Sequence, residues 1–217
     1  MKVEVHTIRY GNPDWLRVCS PTLDQWTDRH GYQLCIWTMV DKSPEYPCLK
    51  FCEIDMWRQF LDGDSDWCMY VDGDIYVRSD APALDFLETG MYVPRSPTKV
   101  NGRFAWWCRK YGVPQKRIER LKKIWWFRNM GWWVLDREAA KTLLQVAAPP
   151  YIEATMEECQ ANYWMATAKR RHGLKVQSPP RGWVNFYWLK NPSWMWHLAR
   201  QHGKMEALRQ IQAKGKV

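Results

Sequence analysis

The sequence lacks several patterns that would place it in a broad class. Its seven cysteines are odd in number, and no two have the C-x-x-C spacing of a zinc or redox motif. We therefore expect free thiols in a reducing compartment. No apolar run approaches the roughly 20 residues that span a bilayer, and the amino terminus reads as a strand rather than a signal peptide. These absences predict a cytoplasmic protein without a membrane anchor.

Internal repeats and low-complexity linkers are also missing, so the 217 residues are expected to form one domain. Tryptophan and positive charge are in excess instead. Most of the 16 tryptophans are expected to pack in the core. The formal net charge of +9 predicts anionic partners, such as phosphates, nucleic acid or a membrane surface.

Hydrophobic periodicity and turn residues predict alternating strands and helices. A first strand, from Lys2 to Tyr10, precedes a helix that Asp14 caps, that Pro21 interrupts and that ends at Gly31. The other predicted elements are strands at 32–39, from residue 67, at 91–93 and at 132–135, and helices at 46–61, 80–87, 115–124, 137–146, 157–171 and from 204. This order favours an α/β fold with a mostly parallel sheet.

The most informative segment is Asp72-Gly73-Asp74, which follows the apolar run that begins at Trp67. Aspartate is a poor strand former and is costly to bury without a partner. In open α/β sheets the carboxyl ends of the strands are where ligands bind. Two carboxylates at such an end suit a hard divalent cation, Mg²⁺ or Mn²⁺.

The element order and this motif resemble the GT-A glycosyltransferases, whose donor-binding half is Rossmann-like and ends in Asp-x-Asp. The segment from Lys50 to Val77 fits best. Asn129-Met130-Gly131 before the strand at 132–135 is similar to the family's Asn-x-Gly segment on the acceptor side.

Two later segments extend the resemblance along the chain. Glu157-Glu158, followed by Asn162, is similar to the family's acidic helix start. His197, with Gly203-Lys204 downstream, resembles its late His-Gly-Lys region, although five residues separate the histidine from Gly203 and no Pro-Trp follows Lys204. That difference puts a phosphate-binding role of Lys204 in doubt.

The resemblance implies a fold, a reaction and a cofactor. It implies one GT-A domain, in which residues 1–80 bind the nucleotide-sugar and metal and residues 81–217 bind the acceptor. Mn²⁺ or Mg²⁺ would be held by Asp72, Asp74 and His197, with Asp74 ahead of Asp72 as a direct ligand. The implied donor is a UDP-sugar and the implied acceptor a saccharide, with no nucleic acid as partner. A minority of the tryptophans would line the sugar-binding cleft.

The remaining candidate residues fall into three groups. The donor-binding candidates are Thr7, Arg9, Tyr10, Lys50, Asp72 and Lys204. The acceptor-side candidates are Asn129 and Gly131. The catalytic candidates are Glu158 and Glu157, one of which would be the general base if the configuration at the sugar inverts, or would position the sugar if it is retained.

Each candidate also has a purely structural explanation. A lone histidine such as His197 is more often satisfied structurally than bound to metal, and His202 competes with it for the same role. Residues 7, 9 and 10 could simply end a strand, and a lone lysine on a helix is usually solvated. Acidic residues at a helix start are expected from the helix dipole alone. The basic stretches 115–123 and 169–172 are either solvated faces or contacts for an anionic acceptor or a membrane.

Two other functions remain as alternatives. Haloacid-dehalogenase-type phosphatases also carry Asp-x-Asp after an apolar strand, but on their first strand and followed by Gly-Thr, whereas Ile75 follows the motif here. A basic, aromatic-rich nucleic-acid-binding module would account for the charge and leave the Asp-Gly-Asp motif unexplained.

Overall fold

The computed structural model describes residues 1–99, 102–147, 149, 157–186, 193–198 and 203–214. In these ranges the main sheet has six strands. Their spatial order is β2 (Gln33–Trp37), β1 (Val3–Ile8), β3 (Trp67–Asp72), β8 (Trp132–Asp136), β5 (Met91–Tyr92) and β9 (Val176–Gln177). Only β8 runs antiparallel to its neighbours. The predicted α/β fold with a mostly parallel, mixed sheet is confirmed.

The helices and the smaller sheets complete the described fold. The helices are α1 (Asp14–His30), α2 (Glu53–Asp62), α3 (Gly102–Lys110), α4 (Gln115–Ile124), α5 (Arg137–Leu144), α6 (Glu157–His172) and α7 (Lys204–Lys214). Two further sheets pair β10 (Val184–Phe186), β11 (Met195–His197) and β4 (Ile75–Val77), and β6 (Arg95–Lys99) with β7 (Trp126–Arg128). Two short 3-10 turns span Met39–Asp41 and Leu49–Cys52.

The central strand β3 is buried on both faces, which explains its continuous apolar run. Cys68 and Tyr70 pack into one core with α2, α5 and α6. Trp67, Met69 and Val71 point the other way, into a core that includes residues of α1. Successive strand side chains alternate between the two faces, so a strand covered by helices on both sides must be apolar throughout. The tryptophans expected in the core include Trp26, Trp57, Trp132 and Trp133, which are fully buried.

Helix α1 differs from its prediction in two respects, the residue that caps it and the effect of Pro21. Its N-cap is Pro13 without a side-chain cap, and Asp14 is the first helical residue. The helix continues through Pro21 without a break. Burial of Leu16, Cys19, Leu23 and Trp26 along one side outweighs the lost backbone hydrogen bond. Its end at Gly31, in the left-handed conformation, is confirmed.

Two other helix predictions were wrong in part. The segment at 80–87 contains turns and no helix. The helix predicted at 46–61 begins as a helix only at Glu53, after the 3-10 turn that carries Lys50. Neither Pro47 nor Pro82 therefore begins a helix.

The short sheet that contains β4 joins two distant parts of the chain. Strand β11 pairs antiparallel with β4, with His197 opposite Ile75. Because β4 directly follows the Asp-Gly-Asp turn, this pairing delivers the end of β11 to that turn. No helix among the described residues is both long enough and apolar enough to cross a membrane.

Candidate active site

The turn Asp72-Gly73-Asp74 leaves the sheet at the carboxyl end of β3, as the sequence predicts. Gly73 is required there, since a Cβ would lie 2.8 Å from the carbonyl oxygen of Ile8. The Asp72 N–H donates to the carbonyl of Gly131 (2.8 Å), which ties the turn to the start of β8. Tyr70, two residues earlier on the same strand face, donates its hydroxyl to Asp72 Oδ1 (2.6 Å). The turn is therefore held by backbone and side chain together.

His197 lies between the two carboxylates. Its Nε2 is 3.3 Å from Asp72 Oδ2 and 3.3 Å from Asp74 Oδ1, and the ring is buried. Burial alone would lower the pKa of His197, but hydrogen bonds to both carboxylates raise it to about 9. The same interactions, with Lys50 and Tyr70, hold the pKa of Asp72 well below its usual range although burial opposes this.

Two lysines complete the charge balance around the carboxylates. Lys204 Nζ donates to Asp74 Oδ2 (2.8 Å) and lies 4.2 Å from the centre of the Trp15 ring. Lys50 Nζ is 3.3 Å from Asp72 Oδ2. Burial would lower the pKa of Lys50, yet Asp72 and the nearby glutamates raise it further above its usual value, so the group is a cation. Both lysines predicted as donor-binding residues thus reach the predicted metal site.

Asp72, Asp74 and His197 can each offer one ligand atom, and these atoms all lie within 4.8 Å of one another. Two carboxylate oxygens and one imidazole nitrogen are a donor set that suits Mn²⁺. A protonated imidazole cannot ligate, so binding of a metal here displaces the proton on His197. The residues therefore fit a divalent cation of the kind that the sequence implies.

Gly131 is pressed against this cluster. A Cβ on it would lie 2.2 Å from His197 Cε1 and 2.5 Å from Asp72 Oδ2. The neighbouring Asn129 accepts the Gly131 N–H at its Oδ1 (3.0 Å), which shapes the segment before β8. Of the two predicted acceptor-side residues, Gly131 therefore lies against the candidate metal ligands, and Asn129 accepts its N–H.

The predicted catalytic glutamates lie around a small cleft next to this cluster. Glu157 and Glu158 begin α6, and Lys50, Glu53 and Met130 line the cleft with them. Glu158 Oε1 accepts the Met130 N–H at 3.4 Å. Since Lys50 also contacts Asp72, this lysine lies between the cleft and the candidate metal ligands.

Asn162 has a structural rather than a catalytic role. It is fully buried, and its Oδ1 accepts the Arg128 N–H (2.7 Å) and the Trp125 indole N–H (3.1 Å). Its Nδ2 donates to the carbonyls of Arg128 (3.0 Å) and Glu158 (2.7 Å). These four bonds fasten the chain around β7 to α6, one turn away from the glutamates, and so help to position them.

Thr7, Arg9 and Tyr10, at the end of β1, form no hydrogen bond or ion pair with Asp72 or Asp74 in the described structure. Thr7 is buried, whereas Tyr10 has 64% of its surface exposed. Arg9 makes an ion pair with Asp24 of α1. Thr7 and Arg9 line a narrow gap with Asp72 and Gly73. Their predicted role in donor binding stays a prediction, and His202 lies outside the described residues.

A second group of potential ligands, Glu4, His6 and Cys68, is already satisfied internally. Trp37 donates its indole N–H to His6 Nδ1 (2.8 Å), so that nitrogen carries no proton. The other ring nitrogen, Nε2, then carries the proton and donates it to Glu4 Oε1 (2.6 Å). A metal at Nε2 would require a proton on Nδ1, facing the indole N–H. The Glu4–His6 pair is therefore structural, and it lies beside Cys68 of the neighbouring strand β3.

Sequence reasoning missed three residues that the structure adds to the site. Tyr70 bonds to Asp72, Trp15 lies under the Lys204 ammonium, and Glu53 lines the cleft. Burial raises the pKa of the Glu53 carboxyl to about 8, against the opposing effect of Lys50. Only Tyr70 had a signal in the sequence, since it lies two positions before Asp72 on a strand and therefore on the same face.

Comparison with known proteins bears on the fold. No family model matches the sequence, and no curated protein matches it either. Among solved structures, the chain is similar to a glycosyltransferase involved in the glycosylation of the major capsid of PBCV-1. The TM-score is 0.59 with 12% sequence identity, over 98% of this chain and 100% of that one. The two chains share a fold across essentially their whole lengths.

Proposed function

We propose that this protein is a GT-A-type glycosyltransferase that depends on a divalent metal, Mn²⁺ or Mg²⁺. It would transfer a sugar from a nucleotide-sugar, UDP-linked in our proposal, to a hydroxyl group of a saccharide acceptor. The observation that carries the proposal is the convergence of Asp72, Asp74 and His197 at the carboxyl end of the parallel strands. The shared fold with a glycosyltransferase supports it.

The charges of the site suit the departure of a nucleoside diphosphate. A bound divalent cation would supply Lewis-acid neutralisation of the charge on the leaving diphosphate. Lys204 and Lys50 flank the carboxylates as two further fixed cations and would stabilise the same charge. Asp72 and Asp74 would hold Lys50 and Lys204 in place before substrate binds, so little reorganisation would be needed during the reaction.

The glutamates at the start of α6 would act on the sugar side. Glu158 accepts the Met130 N–H and lines a cleft with Lys50, which also contacts Asp72. In an inverting reaction Glu158 or Glu157 would take the proton of the acceptor hydroxyl. In a retaining reaction the same carboxylate would position the donor sugar.

The geometry weighs against the phosphatase alternative. In that mechanism the first aspartate must attack phosphorus as a nucleophile. Here Asp72 accepts a hydrogen bond from Tyr70 and contacts Lys50 and His197. A carboxylate engaged on both oxygens in this way is a poorer nucleophile than a free one.

Calorimetric titration of UDP into the protein, first with Mn²⁺ and then with EDTA, tests the proposal. We expect binding with Mn²⁺ that EDTA abolishes, because the diphosphate would meet the carboxylates only through the metal. The titration is best done near pH 8, where displacement of the His197 proton is easier than in acid. Absence of UDP binding under both conditions would contradict the proposed donor.

Glu158→Gln is expected to lower turnover and leave UDP binding nearly unchanged. Glutamine keeps the oxygen that accepts from Met130 but cannot take a proton, so a loss on the order of 10²–10⁴-fold in kcat is expected for a general base. Glu138→Gln, at an exposed position on α5, is the matched control. If both Glu158→Gln and Glu157→Gln keep the wild-type kcat, neither glutamate is the general base.

A further inference from the structure

A groove with cationic and apolar lining lies between α4 and α6, apart from the candidate active site. Its volume is about 290 Å³. The cations that line it are Arg117, Arg120, Lys169 and Arg170. The apolar lining consists of Leu121, Ile124, Trp125 and Ala166. None of the three metal-ligand candidates lines this groove, so a ligand here would occupy a separate surface.

Within the described part of the chain, no carboxylate forms an ion pair with the cations of the groove. No acidic side chain is among its described lining residues. The single acidic residue of α4, Glu119, accepts from Gln115 (2.8 Å) and Lys122 (3.0 Å) instead. Four cations without counter-charges create a local potential that attracts anions.

One of these cations is held rigidly. The Arg117 guanidinium lies 4.7 Å from the centre of the Tyr163 ring, and its Nη2 donates to Thr167 Oγ1 (2.8 Å). Arg120, Lys169 and Arg170 are exposed. The groove thus combines one guanidinium held by two contacts with three exposed cations.

The apolar part of the groove decides which kind of polyanion fits. Ile124 is 63% exposed, whereas Leu121 and Trp125 are each only 6% exposed. A site for single-stranded nucleic acid needs open aromatic faces on which bases stack, and the aromatic ring in this lining is covered. A projecting aliphatic side chain amid cations is instead suited to the boundary between lipid headgroups and acyl chains.

We propose that this groove docks the protein on a membrane that contains anionic phospholipids. The cations contact lipid phosphates, and Ile124 enters the headgroup region. This inference goes beyond the proposed function, since it assigns a location for the reaction rather than a chemical step. It also explains why basic side chains are concentrated on α4 and the end of α6.

Sedimentation with lipid vesicles tests this inference. We expect binding to phosphatidylcholine vesicles that contain roughly one-third phosphatidylglycerol, no binding to phosphatidylcholine alone, and weakening in high salt. The triple variant Arg120→Glu, Lys169→Glu, Arg170→Glu should lose on the order of 100-fold in partitioning, because each cation near an anionic surface contributes about fivefold. Ile124→Ser should lose about fivefold without any change in charge.

The matched control carries the same charge change elsewhere. Arg58→Glu, Lys141→Glu and Arg209→Glu, combined, reverse exposed cations on α2, α5 and α7. If this control loses as much vesicle binding as the groove triple variant, net charge alone explains the loss and the groove assignment is overturned. A different result would make the groove a nucleic-acid site. In that case the protein would bind single-stranded oligothymidylate and not vesicles, the groove triple variant would lose this binding, and Ile124→Ser would keep it. The titration of UDP with Mn²⁺ should be unchanged in every variant, which separates failure here from failure of the proposed function.

Discussion

Asp74→Ala is expected to abolish Mn²⁺-dependent binding of UDP and to lower kcat/KM on the order of 10³-fold. Asp74 is buried between His197 and Lys204, and its oxygens face both. Loss of a partner outside the coordination sphere typically costs 10–100-fold in metal affinity, so loss of a direct ligand should cost at least about 100-fold. Titration calorimetry and steady-state kinetics with UDP-sugars measure the two effects.

The chain contains its own control for this experiment. A second Asp-Gly-Asp sequence, Asp62-Gly63-Asp64, lies at the end of α2, where Asp64 has an 81% exposed side chain. Asp64→Ala should leave UDP binding and turnover unchanged. Asp74→Asn, which keeps an oxygen for the Lys204 ammonium, guards against a misfolded alanine variant. If both Asp74 variants bind UDP and Mn²⁺ like the wild type, Asp74 is not a ligand.

Gly131→Ala is expected to disrupt the metal site by steric overlap alone. The new methyl group would lie 2.2 Å from His197 Cε1 and 2.5 Å from Asp72 Oδ2, so both side chains must move. We expect metal-dependent UDP binding to fall at least tenfold, and the free energy of unfolding to fall by about 1–3 kcal/mol, as for other overpacked sites. Calorimetry and denaturant unfolding measure these two losses.

Gly102→Ala is the matched control, because a Cβ there meets nothing within 4 Å. A double variant keeps the prediction testable if Gly131→Ala folds poorly. Adding His197→Ala removes the closest overlapping atom, so stability should be partly regained while metal-dependent binding remains lost. Full UDP binding in Gly131→Ala, or no regain of stability in the double variant, would mean that the contact with His197 is not what limits this position.

Much of the fold near the site could be read from local pattern. The apolar run of β3 and the paired aspartates after it predicted a strand that ends in two carboxylates, and the structure has that arrangement. Ligand binding by these carboxylates stays a prediction. Helix α4 lies at the predicted positions, and helix α6 begins at Glu157 as expected. These features depend on periodicity and turn chemistry within about 20 residues, which sequence displays directly.

The errors occur where a tertiary contact overrides a local rule. Pro21 predicted an interruption of α1, but the buried side of that helix keeps it continuous. The helix predicted at 80–87 is absent, and a turn from Leu84 to Leu87 lies there instead. A local sequence pattern does not show which distant residues an element will contact in the folded protein.

The sequence by itself determined the alternation of strands and helices, the covered central strand and the acidic turn at its end. Only the tertiary structure decided which distant residues complete the site. Lys204 reaches Asp74 across 130 positions, and His197 arrives because β11 pairs with β4. Gly131 matters because its missing side chain leaves room for His197 and Asp72. Hydrophobic periodicity specifies which face of an element is buried, whereas the contact between two such elements depends on the packing of the whole chain.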